Sequence, residues 1–406
     1  MASLSVSAFD AMMKEQYPTL RIEALAVKKR PLLEWMPKRD AFYGDAYIVP
    51  VLYEDPQSRS AVLANAITNT ETSKQEKFVL SARCKDYGVV TIDGEAIMAA
   101  SKDVGSFIRA KDTQIKGMLR NLGKSLHLAL YRSGSGSLGQ LSNAVDGSGE
   151  CVLTFANKSD VHNFGVGQTL QANDTDNSTS MRAGTPQVTE RSVSAGTVTV
   201  DETAVATHSW GTTDYIFNHG DADAKCTGLA GWLPLSEPTA TAFFTVDRTK
   251  DATRLGGQRV DNSGRSILEN AEELAMLIGE EGGEPDALFM NPRAGLILAE
   301  QTGAKVSRGE GGKAHLSWSG FVIENFVTGP IECRFDIGCP PNRGYALQKD
   351  TWHFAHMGGV PHIIRDDGRD SLRGATTDDI QLRARYFGEL ACNCPGYNGV
   401  MSVATA

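Results

Sequence analysis

Several groups of residues in this chain have types that could carry chemistry. Gly134, Gly136 and Gly139 (SGSGSLG, 133–139) reproduce the glycine spacing of a dinucleotide-binding loop, and Gly309, Gly311 and Gly312 form a second glycine cluster. A phosphate-cradling loop needs a strand before it and a helix amino terminus after it, because the backbone amides there do the binding. The first group instead follows a helical pattern and precedes a polar, strand-rich stretch, and the second lacks a following Lys-Ser or Lys-Thr pair. His353 and His356 stand three apart in a strand-like segment, so they point to opposite faces and do not ligate one metal together. Cys392 and Cys394 share a face of a strand-like run, but with no second close Cys or His pair they predict buried thiols rather than a metal site. Glu280, Glu281, Glu284 and Asp286 make an acidic turn that could hold an acid/base pair or form a solvated contact loop. Nucleophile elbows and HExxH are absent. The expectation is a protein that is not an enzyme and uses no cofactor and no metal.

Composition bounds the class. The chain has 406 residues, 41% of them hydrophobic, and a mean hydropathy of -0.25, which predicts a soluble globular protein of two or three domains that buries roughly 75% of its unfolded surface. No stretch approaches the ~20 apolar residues of a membrane span. The amino terminus shows no charged leader followed by an apolar run, so no export is expected. Seven scattered cysteines are unlike a disulfide framework and fit a reducing cytoplasm, where the sequons at Asn157, Asn173 and Asn177 carry no weight. Residues 1–140 hold 19 Lys and Arg against 15 Asp and Glu, while residues 141–406 hold 21 against 34. Neither half has the dense basic stripe of a nucleic-acid reader.

With little chemistry to position, the elements themselves carry the information. Strand patterns at 45–53 (DAYIVPVLY), 77–84 (KFVLSARC) and 86–94 (DYGVVTIDG) enclose a segment, 54–76, whose only large aliphatics are Val62, Leu63 and Ile67. A loop of that length in a compact domain is uncommon, and an arm that cannot bury its own backbone must borrow a neighbour's surface. A helix then runs over 103–132, with an apolar stripe from Val104 through Phe107, Ile108, Ile115, Met118, Leu119, Leu122, Leu126 and Leu130. Gly105, Gly117 and Gly123 interrupt it, so tertiary packing must hold it, and they would permit bending or a close backbone approach.

The rest of the chain is organised around this arm and helix. Before the arm, 7–17 and 19–29 read as short helices punctuated by Pro18, Pro31 and Pro37. After the long helix, 133–139 reads as a Gly/Ser hinge. The polar stretch 143–224 predicts a small inserted β-barrel or sandwich, with strands at 151–155, 168–172, 187–192, 197–200 and 214–217. From Cys226 a mixed pattern resumes: a helix at 266–281 with a Ser266/Glu269 capping box, a buried strand at 287–291, and a helix at 292–301 opened by proline. A Gly-rich loop at 303–314 follows, then strands at 321–326, 345–348, 351–356, 362–365 and 380–394.

This order of arm, hairpin, long helix and mixed α+β body resembles the major capsid proteins of tailed bacteriophages, the HK97-like fold. Local wording agrees: KDYGVVTIDGEA before the helix, GLAGWLP at 228–234, PDALFMNP after the capped helix, and the closing QLRARYFGELACNCPGYNGV. The resemblance implies an amino-terminal arm (1–42), an extended hairpin or E-loop with adjoining peripheral strands (43–94), a peripheral domain with a spine helix (95–142), the β insertion (143–224), a return to the peripheral domain (225–262), an axial domain (263–362) and closing peripheral strands (363–406). It further implies self-assembly of hexamers and pentamers into an icosahedral shell around double-stranded DNA, without sequence-specific binding or a membrane. Assembly would take place in the host bacterial cytoplasm, with a separate scaffolding protein, a portal and decoration or cement proteins as further partners. A cellular nanocompartment shell of the same fold is the alternative, and a sugar-acting enzyme built on the insertion a more distant one.

For the contacts between subunits, charge suggests candidates. Arg59, Lys74 and Lys77 sit on an arm with no core of its own, and Glu280, Glu281 and Glu284 repel one another unless something basic approaches. The arm's cations are therefore expected to meet acidic surface, these carboxylates included, on an adjacent subunit.

Overall fold

The computed structural model describes residues 30–93, 104–176, 180–301, 321–325, 328–365, 368, 372–373 and 379–404. The helices expected at 7–17 and 19–29 and the loop at 303–314 lie outside the described residues. The chain forms two compact units: one of Met1–Tyr47, Ser81–His127 and His353–Ala391, the other of Ile48–Leu80, Leu128–Trp352 and Cys392–Ala406.

The first unit is organised around the 14-residue strand Asp379–Cys392. Its alternating sequence (LRARYF) buries Leu382, Ala384 and Tyr386. Cys84–Asp93 pairs with it antiparallel over ten residues, from Cys84 opposite Gly388 to Asp93 opposite Asp379. The other strands of this sheet are Trp352–His356, His362–Ile363, Leu372–Arg373 and, parallel to Trp352–His356, the short Lys38–Asp40. The long helix spans Val104–Ala129, and the part of its stripe with described side chains, Ile115, Met118, Leu119, Leu122 and Leu126, is buried. The close approach between helix and sheet runs through a glycine of the strand. A Cβ on Gly88 would lie 2.7 Å from Met118 Cγ and 3.1 Å from Leu122 Cδ1, whereas one on Gly117 would meet nothing within 4 Å. Gly117 is thus tolerated rather than required.

The second unit contains a β-barrel, a mixed sheet and the hairpin arm. In the barrel the strand order is Leu170–Asn173, Tyr215–Asn218, Ser137–Asp146, Cys151–Phe155, Thr197–Val200, Val188–Ser192. A bridge between Thr169 and Gln187 brings its ends together, with Leu170 N–H donating to Pro186 O at 2.9 Å. Leu153, Phe164, Leu170, Val198, Trp210 and Ile216 fill its interior. Residues 133–139 do not form the expected hinge: the central strand starts at Ser137, inside the Gly/Ser run and ahead of position 143. Gly136, at φ 84°, supplies the turn, and the small residues after it pair as a strand despite their composition.

The mixed sheet runs Gln258–Val260, Gly399–Ser402, Arg343–Leu347, Ala287–Met290, Gly329–Phe335, Phe321–Asn325. Helix Ile267–Glu280 covers it, and both bonds of the Ser266/Glu269 capping box form. Leu274, Ile278, Leu288, Met290, Ile331 and Met401 share one core. Pro292–Gln301 is helical over the expected range. Asn398 ties the closing segment down: its amide donates to Thr351 Oγ1 and to Cys394 O, both at 2.9 Å, and its carbonyl oxygen accepts from Gln348 N–H at 2.8 Å and Trp352 Nε1 at 2.7 Å.

Candidate functional site

The hairpin arm is the feature that the sequence marks as functional, and it divides into two unlike halves. Strands Tyr47–Glu54 and Lys74–Leu80 pair as a two-stranded sheet. Near the body their alternation buries Val49 and Val51 on one strand and Phe78 and Leu80 on the other. The Phe78 ring meets the edges of Trp232 and Phe243 at centroid distances of 5.0 and 6.2 Å, and Trp232 in turn packs against Phe244 and Trp352. Phe243 and Phe244 are presented by a turn in which Phe244 and Thr245 take φ of 45° and 74°. Such values are unusual for non-glycine residues and mark a turn held by its surroundings. Val79 N–H donates to Phe244 O at 2.9 Å, so the same turn extends the arm's hydrogen bonding. Arg248 stacks over Phe243 at 3.9 Å and caps the Gly231 and Trp232 carbonyls at 2.9 and 3.2 Å. Burial, with nearby Arg259 adding to it, lowers its pKa to about 10.

Charged pairs flank this aromatic root. Arg254 donates to Glu54 Oε2 at 2.8 Å, to Tyr53 O at 2.7 Å and to Glu281 Oε2 at 2.9 Å. The Glu281 hydrogen bond leads the causes that raise its pKa. Lys250 pairs with Glu76 of the returning strand. A cavity of about 270 Å³ lined by Val51, Tyr53, Glu54, Arg254, Glu281 and Tyr397 lies at the same place.

The distal half, from Asp55 to Ser73, is different. One short helix, Leu63–Thr68, forms within it, where the sequence suggested no element, and none of its residues is buried. Local bonds shape it: Ser60 Oγ accepts from Val62 N–H at 3.2 Å, and Thr68 Oγ1 donates to Ala64 O at 2.8 Å. Val62, Leu63 and Ile67 stand 54%, 75% and 66% exposed. Leu63 and Ile67, four apart, share one helix face.

Of the six charged candidates, Arg59, Lys74 and Lys77 are exposed on the arm, and Glu280 and Glu284 are exposed at the turn. Within the chain the structure does not bring the cations to the carboxylates. Lys74 lies 4.0 Å from Glu71 of its own hairpin, both about half exposed. Glu281 stands apart from its neighbours because Arg254 already holds it. Sequence reasoning missed Glu54, Glu76, Lys250 and Arg254, and with them the turn at 243–246. The doubled aromatic FF between polar flanks was the available signal.

The other chemical candidates resolve into structure. His353 is buried and hydrogen bonds through Nε2 to Tyr47 Oη at 2.9 Å. Burial, helped by the charge of Arg39, lowers its pKa to about 4. His356 lies 3.7 Å from Asp40. Cys392 is fully buried at the end of its strand, and Cys394 falls past that end, partly exposed. Burial raises both thiols. Among the described residues no group of three or more His, Cys, Asp or Glu could hold a metal ion, and no helix is long and apolar enough to cross a membrane.

With the fold in place, its class follows from comparison with solved structures. No family model matches the sequence, and no curated protein does. Over 93% of its own length and 93% of the other chain, the protein superposes on a chain of the cyanophage A-1(L) capsid asymmetric unit, with a TM-score of 0.53 and 11% identity. The fold is therefore that of a phage capsid chain, an α+β architecture. Weaker likenesses include the capsid of a native GTA particle (TM-score 0.43, 9% identity, 94% of this chain and 91% of the other) and a chain from Mycobacterium phage Ogopogo (0.41, 11%, 99% and 100%).

Proposed function

We propose that this chain is a major capsid protein, one that self-assembles in many copies into the icosahedral shell of a tailed bacteriophage and encloses its double-stranded DNA. The observation that carries this reading is the fold shared with the cyanophage capsid chain over 93% of both. The arm supports it: a root anchored by aromatic packing carries a distal half whose apolar residues Val62, Leu63 and Ile67 are exposed among the described residues. Covering such a surface with a second copy, repeated around a closed symmetric assembly, stabilises a shell even when each contact is modest. In this reading Arg59, Lys74 and Lys77 meet acidic surface on an adjacent copy, with Glu280 and Glu284 as the carboxylates left open for it. The cyanophage likeness favours a virion shell over a cellular nanocompartment, and the chain has no catalytic task. Hexamers and pentamers form in the host cytoplasm, with scaffolding, portal and decoration proteins as separate chains. Electron microscopy of the purified recombinant protein tests the proposal. Closed, regular shells are expected, and a protein that stays monomeric across concentration, salt and crowding conditions overturns it.

A further inference from the structure

We infer that the direction of the arm is set by an ionic latch at its root, made by two cations of one loop that each grip a different arm strand. Arg254 holds Glu54, the last residue of the outgoing strand, at 2.8 Å. Lys250 holds Glu76, the third residue of the returning strand. Both pairs lie where the ladder between the strands gives way to the distal arm. Arg254 also reaches Glu281 at 2.9 Å and the Tyr53 carbonyl at 2.7 Å, so a single guanidinium ties the arm to the turn that follows helix Ile267–Glu280. Asp251 fixes the loop itself, its Oδ1 accepting from the N–H groups of Thr253 at 3.1 Å and Arg254 at 2.8 Å.

The division of labour follows from the physics of the two contact types. Burial of Val49, Val51, Phe78 and Leu80 anchors the root without fixing a direction, and the bond from Val79 N–H to Phe244 O ties only the returning strand. Hydrogen-bonded ion pairs are directional, and Arg254 engages two carboxylates in the fixed fork of its guanidinium. With both strands gripped, neither tilts without breaking a pair. The pairs are partly exposed, so salt screens them, and the latch can open without unfolding the body. This is a property of the single chain and holds whether or not the chain builds a shell.

The test uses the full chain carrying spin labels at Asn65→Cys on the arm and Met276→Cys on helix Ile267–Glu280, in a Cys394→Ser background. At low salt one narrow distance distribution is expected. Arg254→Ala and Lys250→Glu should each broaden it while the circular dichroism spectrum stays native. In Arg254→Ala, amide exchange across Lys74–Leu80 should also accelerate about fivefold. Combining Lys250→Glu with Glu76→Lys should restore the narrow distribution, a rescue that a merely structural role for either side chain would not produce. Because Lys250 is an exposed surface residue, its variants keep the test valid if Arg254→Ala fails to fold. An unchanged distribution in Lys250→Glu, or a charge swap that leaves it broad, overturns the inference.

Discussion

The second unit contains two regions, the barrel and the distal arm, that meet the demands of the backbone in opposite ways. The barrel joins its first and last strands through Thr169 and Gln187 and fills its interior with fully buried residues such as Phe164, Leu170 and Ile216. The distal arm has a single exposed helix, and its three large aliphatics all face outward. Ordering a residue costs ~1 to 2 kcal/mol of backbone entropy, which hydrophobic burial and hydrogen bonding together must offset. The barrel offsets it internally. The arm leaves its apolar surface exposed, beyond a root anchored by Phe78 against Trp232.

The largest effect expected from this contrast concerns the barrel alone. A fragment of residues 134–224 should unfold cooperatively on heating, because it contains the whole central strand Ser137–Asp146. A fragment starting at 143 loses the pairing of Ser137, Gly139 and Gln140 with Tyr215–Phe217 and should show no transition. A cooperative melt of the shorter fragment would show that the start of this strand is dispensable to the barrel.

Side-chain truncations separate the two regions further. Trp210→Ala, deep in the barrel, should cost roughly 3 to 5 kcal/mol, read from chemical denaturation. Leu63→Ala on the arm should leave stability within about 0.5 kcal/mol and lower only the yield of assembled particles. Equal destabilisation by both would mean that the distal arm has a core.

His353 provides a contrast from the first unit. Its folded pKa of about 4 lies below its unfolded value near 6.5, so its contribution is fully present above pH ~6.5 and is lost as pH falls toward 4. About 2 to 3 kcal/mol should disappear across that window. His353→Gln, which keeps a hydrogen-bonding group near Tyr47 but cannot titrate, should flatten the acid limb of stability against pH. An identical acid limb in the variant would assign the loss to other groups.

The smallest effect on stability belongs to the charged candidates. Exposed pairs contribute ~0.2 to 1 kcal/mol each, so reversing Lys74 and Lys77 to Glu should leave the melting temperature nearly unchanged. The repeated contacts of an assembly multiply the loss, and particle formation at low salt should fall. Normal assembly of the double reversal would remove the proposed role of these two cations.

Much of this fold was legible where one signal dominated. The strand at Thr197–Val200, the helix at Pro292–Gln301 and the Ser266/Glu269 cap fell where alternation, proline position and capping chemistry placed them. Strands that break the pattern were missed for physical reasons. Gly399–Ser402 is four residues long and buried on both faces, so it has no alternation to read. Gly329–Phe335 carries Pro330 and the charged Glu332 and Arg334, and Ser137–Asp146 begins in a Gly/Ser run that composition assigns to a hinge. At the candidate site the arm itself was visible, because a coreless segment between strands is a local property. The Arg254 and Lys250 pairs were not, because they join residues about 200 and 174 positions apart, a distance over which charge alone selects no partner.

The distal arm is expected to be dispensable for folding and indispensable for assembly. Deleting residues 56–72 and closing the gap with a short Gly-Ser turn leaves Glu54, Glu76 and the aromatic root in place. Electron microscopy and sedimentation then compare particle formation by this variant and by the parent chain. The deletion should retain a parent-like melting transition and circular dichroism spectrum while forming no closed shells under conditions where the parent does. Closed shells of normal size from the deleted chain would show that assembly does not need the distal arm.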